Sequence, residues 1–430
     1  MNYSSTRDPQ RRPVSFREAV LSGLAPDGGL YVPERIPRLS PEWSEAESLA
    51  EIAQHALTPY VGGELSAGEL RAVTEDALDF PVPLVKLGDT LAALELFHGP
   101  TLSFKDVGAR TMARLMSAFL RGSDQKLTIL VATSGDTGSA VADGFAGQEN
   151  VRVVLLYPKG MVSDTQERQL VAPRPGVRAY AVAGDFDACQ RLVKAAFVDP
   201  ELRAFGLSSA NSINLGRLLP QSSYYLWGAL QALALGWDDP VFCVPSGNLG
   251  NLMAGLFAAK TALGPARFIA AHNANDFFPG FLRSRYPHTG FRNTVATLSN
   301  AMDVGAPSNF ERLYALLGEE TLRRDVWSTS VSDPETTARM RLVFERYGYV
   351  ACPHTAVGLE AAERYRNETG DETPVVVLAT AHPAKFGDAV RDALGFEPPT
   401  VEALEALGRP HTEKPALEPT LAALKRELLA

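Results

Sequence analysis

The chain has 430 residues, 45% hydrophobic and 21% charged, a balance that suits two or three globular domains and excludes global disorder. Lys and Arg number 41 against 50 Asp and Glu, a net charge of −9 with no basic block at either end, so a nucleic-acid partner is not expected. No stretch reaches the roughly 18 consecutive apolar residues of a membrane span, so no membrane partner is expected either.

In chain order, MNYSSTRDPQRRP carries charge without an apolar core behind it, and no export signal is expected. VSFREAVLSG reads as a helix ending at Gly23, followed by a Pro-Asp-Gly-Gly turn and a short extended LYV run. EWSEAESLAEIAQHALTPYVG carries a second helical pattern, and VKLGD and LAALELFHG have strand character. From Lys126 onward, runs rich in Val, Ile and Leu alternate with amphipathic stretches, the signature of βαβ units and parallel sheet. The strand candidates are LTILVAT (127–133), VRVVLLYP (151–158), VRAYAVAG (177–184), PVFCVPS (240–246), RFIAAHN (267–273) and PVVVLAT (374–380). Their nearly unbroken apolar character suits strands covered on both faces by helices. Asn211 to Trp237 reads as one long helix bridging two sheets, and EPTLAALKRELLA as a closing amphipathic helix. Cys189, Cys243 and Cys352 have neither paired nor metal-type spacing, which points to a reducing, cytoplasmic compartment and no metal site.

Two strand-to-helix junctions have unusual composition: SGDTGSA (Ser134 to Ala140) and PSGNLGNL (Pro245 to Leu252). Small residues there let backbone N–H groups and the positive end of a helix face an anion. In the second junction Gly247 and Gly250 allow close approach to a phosphate, and Ser246, Asn248 and Asn251 add side-chain hydrogen bonds. Neither matches a dinucleotide or P-loop fingerprint, and taken alone each loop is weak evidence, since such turns also serve simply to reverse the chain. Lys105, at the apparent start of a helix in TLSFKDVGARTMARL, could form a Schiff base with an aldehyde cofactor; the competing reading is a solvated lysine. Thr380 closes PVVVLAT and places a hydroxyl where open α/β sheets bind ligands, with His382 and Lys385 beside it. In LSSANSINLGRLLPQ, Asn211, Ser212 and Asn214 read as helix caps, and Arg217 on spacing alone as a surface arginine.

The ordered segments TLSFKD, ATSGDTGSA, SANSINLGR, PSGNLGN, TLSNAMDVGAPSN and TAHPAKF together resemble the threonine synthases. The resemblance covers most of the chain, and VSFREAVLSGLAPDGGLYVPE is similar to the N-terminal domain of the longer bacterial and fungal class. It implies an α/β, tryptophan-synthase-β-like, fold type II enzyme dependent on pyridoxal 5′-phosphate. The expected division is an N-terminal domain at 1–92, a smaller α/β domain at 93–235 carrying Lys105 and the SGDTG loop, and a larger α/β domain at 236–430. The resemblance implies that the cofactor lies in the cleft between the last two.

By position, the resemblance makes Lys105 the catalytic lysine that holds the cofactor. It gives the cofactor phosphate to Gly247, Asn248, Leu249, Gly250 and Asn251, with Leu249 standing where many members have Phe, and the pyridine nitrogen to Thr380. Ser134, Gly135, Asp136 and Thr137 are implied to hold the substrate's α-carboxylate, and Asn211, Ser212 and Arg217 its phosphate. The implied reaction converts O-phospho-L-homoserine and water to L-threonine and phosphate by γ-elimination and β-addition of water, with closure of the SGDTG side over the substrate. A phospholyase, a serine or threonine dehydratase and a non-catalytic phosphate-binding homologue are the alternatives. Oligomeric state stays open between monomer and homodimer.

Overall fold

The computed structural model describes residues 1–133, 135–264, 266–407 and 416–429. Its strands are β1 (Tyr3–Ser5), β2 (Tyr31–Pro33), β3 (Leu84–Gly88), β4 (Leu91–Glu95), β5 (Leu127–Ala132), β6 (Val151–Pro158), β7 (Val177–Val182), β8 (Leu207–Ser208), β9 (Val241–Pro245), β10 (Phe268–His272), β11 (Val326–Ser330) and β12 (Val375–Ala379). Among the described residues they form three sheets: β1-β2, a six-stranded sheet β11-β10-β9-β12-β4-β3, and a four-stranded sheet β7-β6-β5-β8. Every pair in the two larger sheets is parallel except the edge pair β3-β4.

Apolar runs become central strands because both faces are covered. In β9, Phe242 and Val244 join the core cluster that contains Tyr225 and Met253, while Val241 and Cys243 join the one that contains Val357 and Ala361. In β12, Val376 and Leu378 divide from Val375 and Val377 in the same way. The period of two along each strand thus fills two cores.

Three packing relations cross the expected domain bounds. The boundary at 92 falls inside β4, whose residues 91–95 pair with Val375–Ala379 in the larger sheet. The helix Ser222–Ala234, expected with the smaller unit, packs on the larger sheet, with Tyr225 5.2 Å from Phe242 and 6.1 Å from Phe268 between ring centroids. Conversely, Leu424 and Leu428 of the closing helix Leu421–Leu429 join Leu130, Val154 and Leu192 in the core of the four-stranded sheet. Sequence order cannot reveal such exchanges, because they depend on which sheet offers an apolar face.

Asn211 to Trp237 is likewise not one helix. A short turn Leu215–Leu218 and a 3-10 segment Leu219–Gln221 precede Ser222–Ala234, with Pro220 at the break, where its ring and missing N–H oppose a continuous α-helix. β11, VWSTS, has no counterpart among the expected strands, since its mixed polar pattern lacks their unbroken apolar run. The N-terminal residues tie onto the rest through the Arg312 side chain, which donates from Nε to the Tyr31 carbonyl at 3.1 Å, and through Asn214 Nδ2, which donates to the Val20 carbonyl at 2.8 Å. No helix among the described residues is long and apolar enough to cross a membrane.

Candidate active site

Chemistry-bearing residues gather where the parallel strands end, as open α/β sheets require. Lys105 opens the helix Lys105–Leu120. Its position is set by the preceding turn: the Phe104 N–H donates to the Thr380 carbonyl at 2.9 Å, and Ser103 bridges Ala381. The start of the Lys105 helix is thereby stitched to the end of β12, in the larger sheet. Across the cleft, Asp136 of the four-stranded sheet places Oδ2 3.8 Å from Lys105 Nζ. The lysine side chain is only 14% exposed, so it is not the solvated lysine of the simpler reading. Burial lowers its ammonium to about 8, against the opposing pull of Asp136 and with the further repulsion of Arg217 and Lys385.

The loop after β5 is closed on itself. Thr133 Oγ1 accepts the N–H groups of Gly135 at 3.0 Å and Gly138 at 2.8 Å. Gly135 has φ +134°, and a Cβ on it would lie 2.4 Å from Gln166 Cδ, so only glycine fits. Asp136 opens the helix Asp136–Phe145, and its carboxylate accepts from Lys385 Nζ at 2.8 Å and Gln166 Nε2 at 3.1 Å. Burial raises this carboxyl, but Lys385 and Lys105 outweigh it and hold it below the usual carboxylate range. Thr137 is half-buried beside it, and Ser134 lies outside the described residues.

The loop after β9 has a different construction. Leu249 takes a left-handed conformation, φ +61°, immediately before the helix Gly250–Ala258, whose first turn has no side-chain cap. That end presents backbone N–H groups and the positive end of the helix dipole. A Cβ on Gly247 would lie 2.8 Å from Met302 Cα, and one on Gly250 3.1 Å from Ser212 Cβ, so both glycines let neighbouring chain crowd the loop. Asn248 Nδ2 donates to Ser212 Oγ at 2.7 Å, and the Ser308 N–H donates to Asn248 Oδ1 at 2.5 Å. Asn251 Oδ1 accepts from Tyr224 and Tyr225, both at 2.6 Å, leaving its buried Nδ2 without a protein partner among the described residues. An uncapped helix start, a buried unmatched amide and two glycines at close approach suit the phosphate of a pyridoxal cofactor.

Arg217 corrects its spacing-only reading, because it is 3% exposed rather than on the surface. Its Nη1 donates to the Ala210 carbonyl at 2.5 Å, and a Cβ on Gly108 of the Lys105 helix would lie 2.5 Å from the Arg217 carbonyl oxygen. Burial lowers the Arg217 guanidinium to about 10. Asn214 caps the Leu215–Leu218 turn, as expected, whereas Ser212 reaches across to Asn248 and Asn309. Asn211 is half-buried at the start of this segment. Thr380 is 5% exposed at the end of β12, and His382 Nδ1 accepts the Ala384 N–H at 3.1 Å, a structural role.

Two residues outside the expected set belong to this cluster. Lys385 was legible only as a neighbour of Thr380, and nothing in SDTQERQ marks Gln166. A third, Arg312, is fully buried and donates to Asn309 Oδ1 at 2.6 Å and the Ile213 carbonyl at 2.6 Å, bracing the segment that holds Ser212.

Comparison with known proteins gives this cluster a context. The model of pyridoxal-phosphate dependent enzymes matches residues 80–381, that of the threonine synthase N terminus residues 2–78, and that of the threonine synthase C-terminal region residues 355–426. The threonine synthase of Haemophilus influenzae is 44% identical over 427 residues, covering 97% of this chain and 96% of its own. The crystal structure of threonine synthase from Escherichia coli superposes with a TM-score of 0.89 at 38% identity, covering 100% of this chain and 99% of the other. That of threonine synthase with bound pyridoxal phosphate from Brucella melitensis gives 0.90 at 35% identity, covering 100% and 98%. With its N-terminal region, its two parallel sheets and its C-terminal segment all matched, the chain belongs to the threonine synthases, pyridoxal-phosphate dependent enzymes of fold type II.

Proposed function

We propose that the cleft residues divide the threonine synthase reaction among themselves as follows. The chain is a pyridoxal-phosphate dependent lyase that converts O-phospho-L-homoserine and water to L-threonine and phosphate. Bound in the cleft, the cofactor supplies an electron sink for negative charge developing on the substrate's carbons. Gly247 to Asn251 would hold its phosphate at the uncapped start of the Gly250–Ala258 helix, and the Thr380 hydroxyl would serve its ring nitrogen. A neutral hydroxyl there does not enforce a protonated ring, which moderates the sink.

Lys105 Nζ is the base that takes the substrate's α-proton and later returns one. The observation that carries this role is its burial, with the Asp136 carboxylate held 3.8 Å away: burial lowers its ammonium to about 8, helped by Arg217 and Lys385, and makes the free amine accessible near neutral pH. Gly135 to Thr137 orient the α-carboxylate at the start of the Asp136–Phe145 helix. Arg217, with Asn211 and Ser212, binds the departing phosphate; its burial makes the interaction with an anion stronger than it would be at the surface. Closure of the four-stranded side excludes bulk water while one water adds at the β-carbon. A cytoplasmic location is part of the same reading, supported by three buried cysteines that form no disulfide.

The test is product stoichiometry. Purified enzyme reconstituted with pyridoxal phosphate and given O-phospho-L-homoserine should release phosphate and threonine in equal amounts. α-Ketobutyrate as the main product contradicts the reading and favours a phospholyase.

A further inference from the structure

We propose that Lys385 is a positioning residue of this site: it holds the Asp136 carboxylate off Lys105 Nζ, leaving that nitrogen free to give up its proton and take up an aldehyde. The inference rests on the reading of Lys105 as the cofactor-holding lysine and goes beyond it by assigning a role to a second buried lysine.

The geometry is asymmetric. Asp136 Oδ1 lies 2.8 Å from Lys385 Nζ, whereas Asp136 Oδ2 lies 3.8 Å from Lys105 Nζ, beyond hydrogen-bond reach. Lys385 is anchored for this task, since its side chain is 0% exposed and its Nζ also donates to the Thr101 carbonyl at 2.8 Å. Thr101 is itself fixed, donating from Oγ1 to Asp106 Oδ1 at 2.5 Å and from its backbone N–H to Asp106 Oδ2 at 2.9 Å. On the other side, Gln166 Nε2 holds the same Asp136 oxygen. Two donors therefore draw the carboxylate away from Lys105, whose Nζ instead sits 4.8 Å from the Phe104 ring centroid.

Without Lys385, the buried Asp136 carboxylate would have Lys105 as its nearest cation, and a close ion pair would form there. The groups facing Lys105 are Asp106 on its own helix, Asp136 from the Asp136–Phe145 helix, Lys385 after β12 and Arg217 from the Leu215–Leu218 turn. His354, from the Pro353–Thr369 helix, is held neutral by burial, which lowers it to about 3. Loss of Lys385 both removes a repelling cation and releases an attracting anion, so the two effects on Lys105 have the same sign.

The test follows the reactivity of Lys105 in the cofactor-free full-length protein, by trace acetylation across pH with peptide mass spectrometry. Lys385→Met should raise the Lys105 midpoint by about one pH unit, leaving about tenfold less free amine at neutral pH. Lys385→Arg should stay near wild type, and Asp136→Asn added to Lys385→Met should bring the midpoint back down. An unchanged or lower midpoint in Lys385→Met overturns the proposal. If that variant does not fold, the Lys385→Met/Asp136→Asn pair decides: a midpoint near wild type supports the proposal, and one well above it overturns it. The underlying reading fails separately, if Lys105→Ala with added pyridoxal phosphate keeps the visible band of lysine-bound cofactor.

Discussion

The loops after β5 and β9 look alike in sequence, each a run of small and hydroxyl or amide residues between a buried strand and a helix, yet they are electrostatic opposites. The first carries its own anion: Asp136 sits at the helix start, held by Lys385 and Gln166, and Thr133 Oγ1 absorbs two backbone N–H groups. The second carries none, and its helix start is uncapped. In the proposed division of labour, the second loop offers unclaimed donors to the cofactor phosphate and the first meets the substrate. The difference lies in what fills each loop at rest. A net charge of −9 is no obstacle to either, because capture of a small anion is local.

The contrast can be broken or sharpened by mutation. Lys105→Ala should have the largest effect, a loss of the lysine-bound visible band and a fall in kcat of about 10³-fold or more. Gly247→Ala drives a Cβ to 2.8 Å from Met302 Cα, a backbone atom that cannot swing aside. It should weaken cofactor binding by about 1–3 kcal/mol, roughly 5- to 150-fold in Kd by fluorescence titration. Gly135→Ala, strained by φ +134° and by contact with Gln166, should instead raise KM for the substrate while cofactor Kd stays within about threefold of wild type. If Gly135→Ala and Gly247→Ala behave alike, the division of labour is wrong. Arg217→Ala should raise KM far more than it changes cofactor retention, measured by dialysis. The smallest effect is conformational: small-angle scattering with a substrate analogue should show compaction as the four-stranded side closes.

Lys105 also makes a prediction for pH. Its ammonium is lowered, so the free amine appears as pH rises through about 8 rather than near the ordinary lysine value. The rate at which cofactor-free protein captures pyridoxal phosphate, read from the growth of the visible band, should therefore climb through that window and level off above it. A climb centred near the ordinary value places Lys105 in water and contradicts its burial.

Much of this was legible in the chain. VRVVLLYP is β6 residue for residue, because its apolar run is buried almost throughout and only Arg152 departs from it. The two loops stood out by composition. What escaped was decided by partners far away in sequence. Lys385 resembles any lysine until Asp136 and Thr101 enclose it, and Arg217 resembles a surface arginine until Gly108 lets the Lys105 helix press against its backbone. That β4, which spans the expected boundary at 92, finds its neighbour in β12 near the other end of the chain is likewise invisible in the sequence.

The central claim is that Lys105 is the nitrogen around which both loops are arranged. It is tested most directly by reconstituting the enzyme with pyridoxal phosphate, fixing the cofactor by borohydride reduction and mapping the modified peptide by mass spectrometry. The account predicts a single pyridoxyl group on Lys105, and finding it on Lys385 or on any other lysine contradicts it.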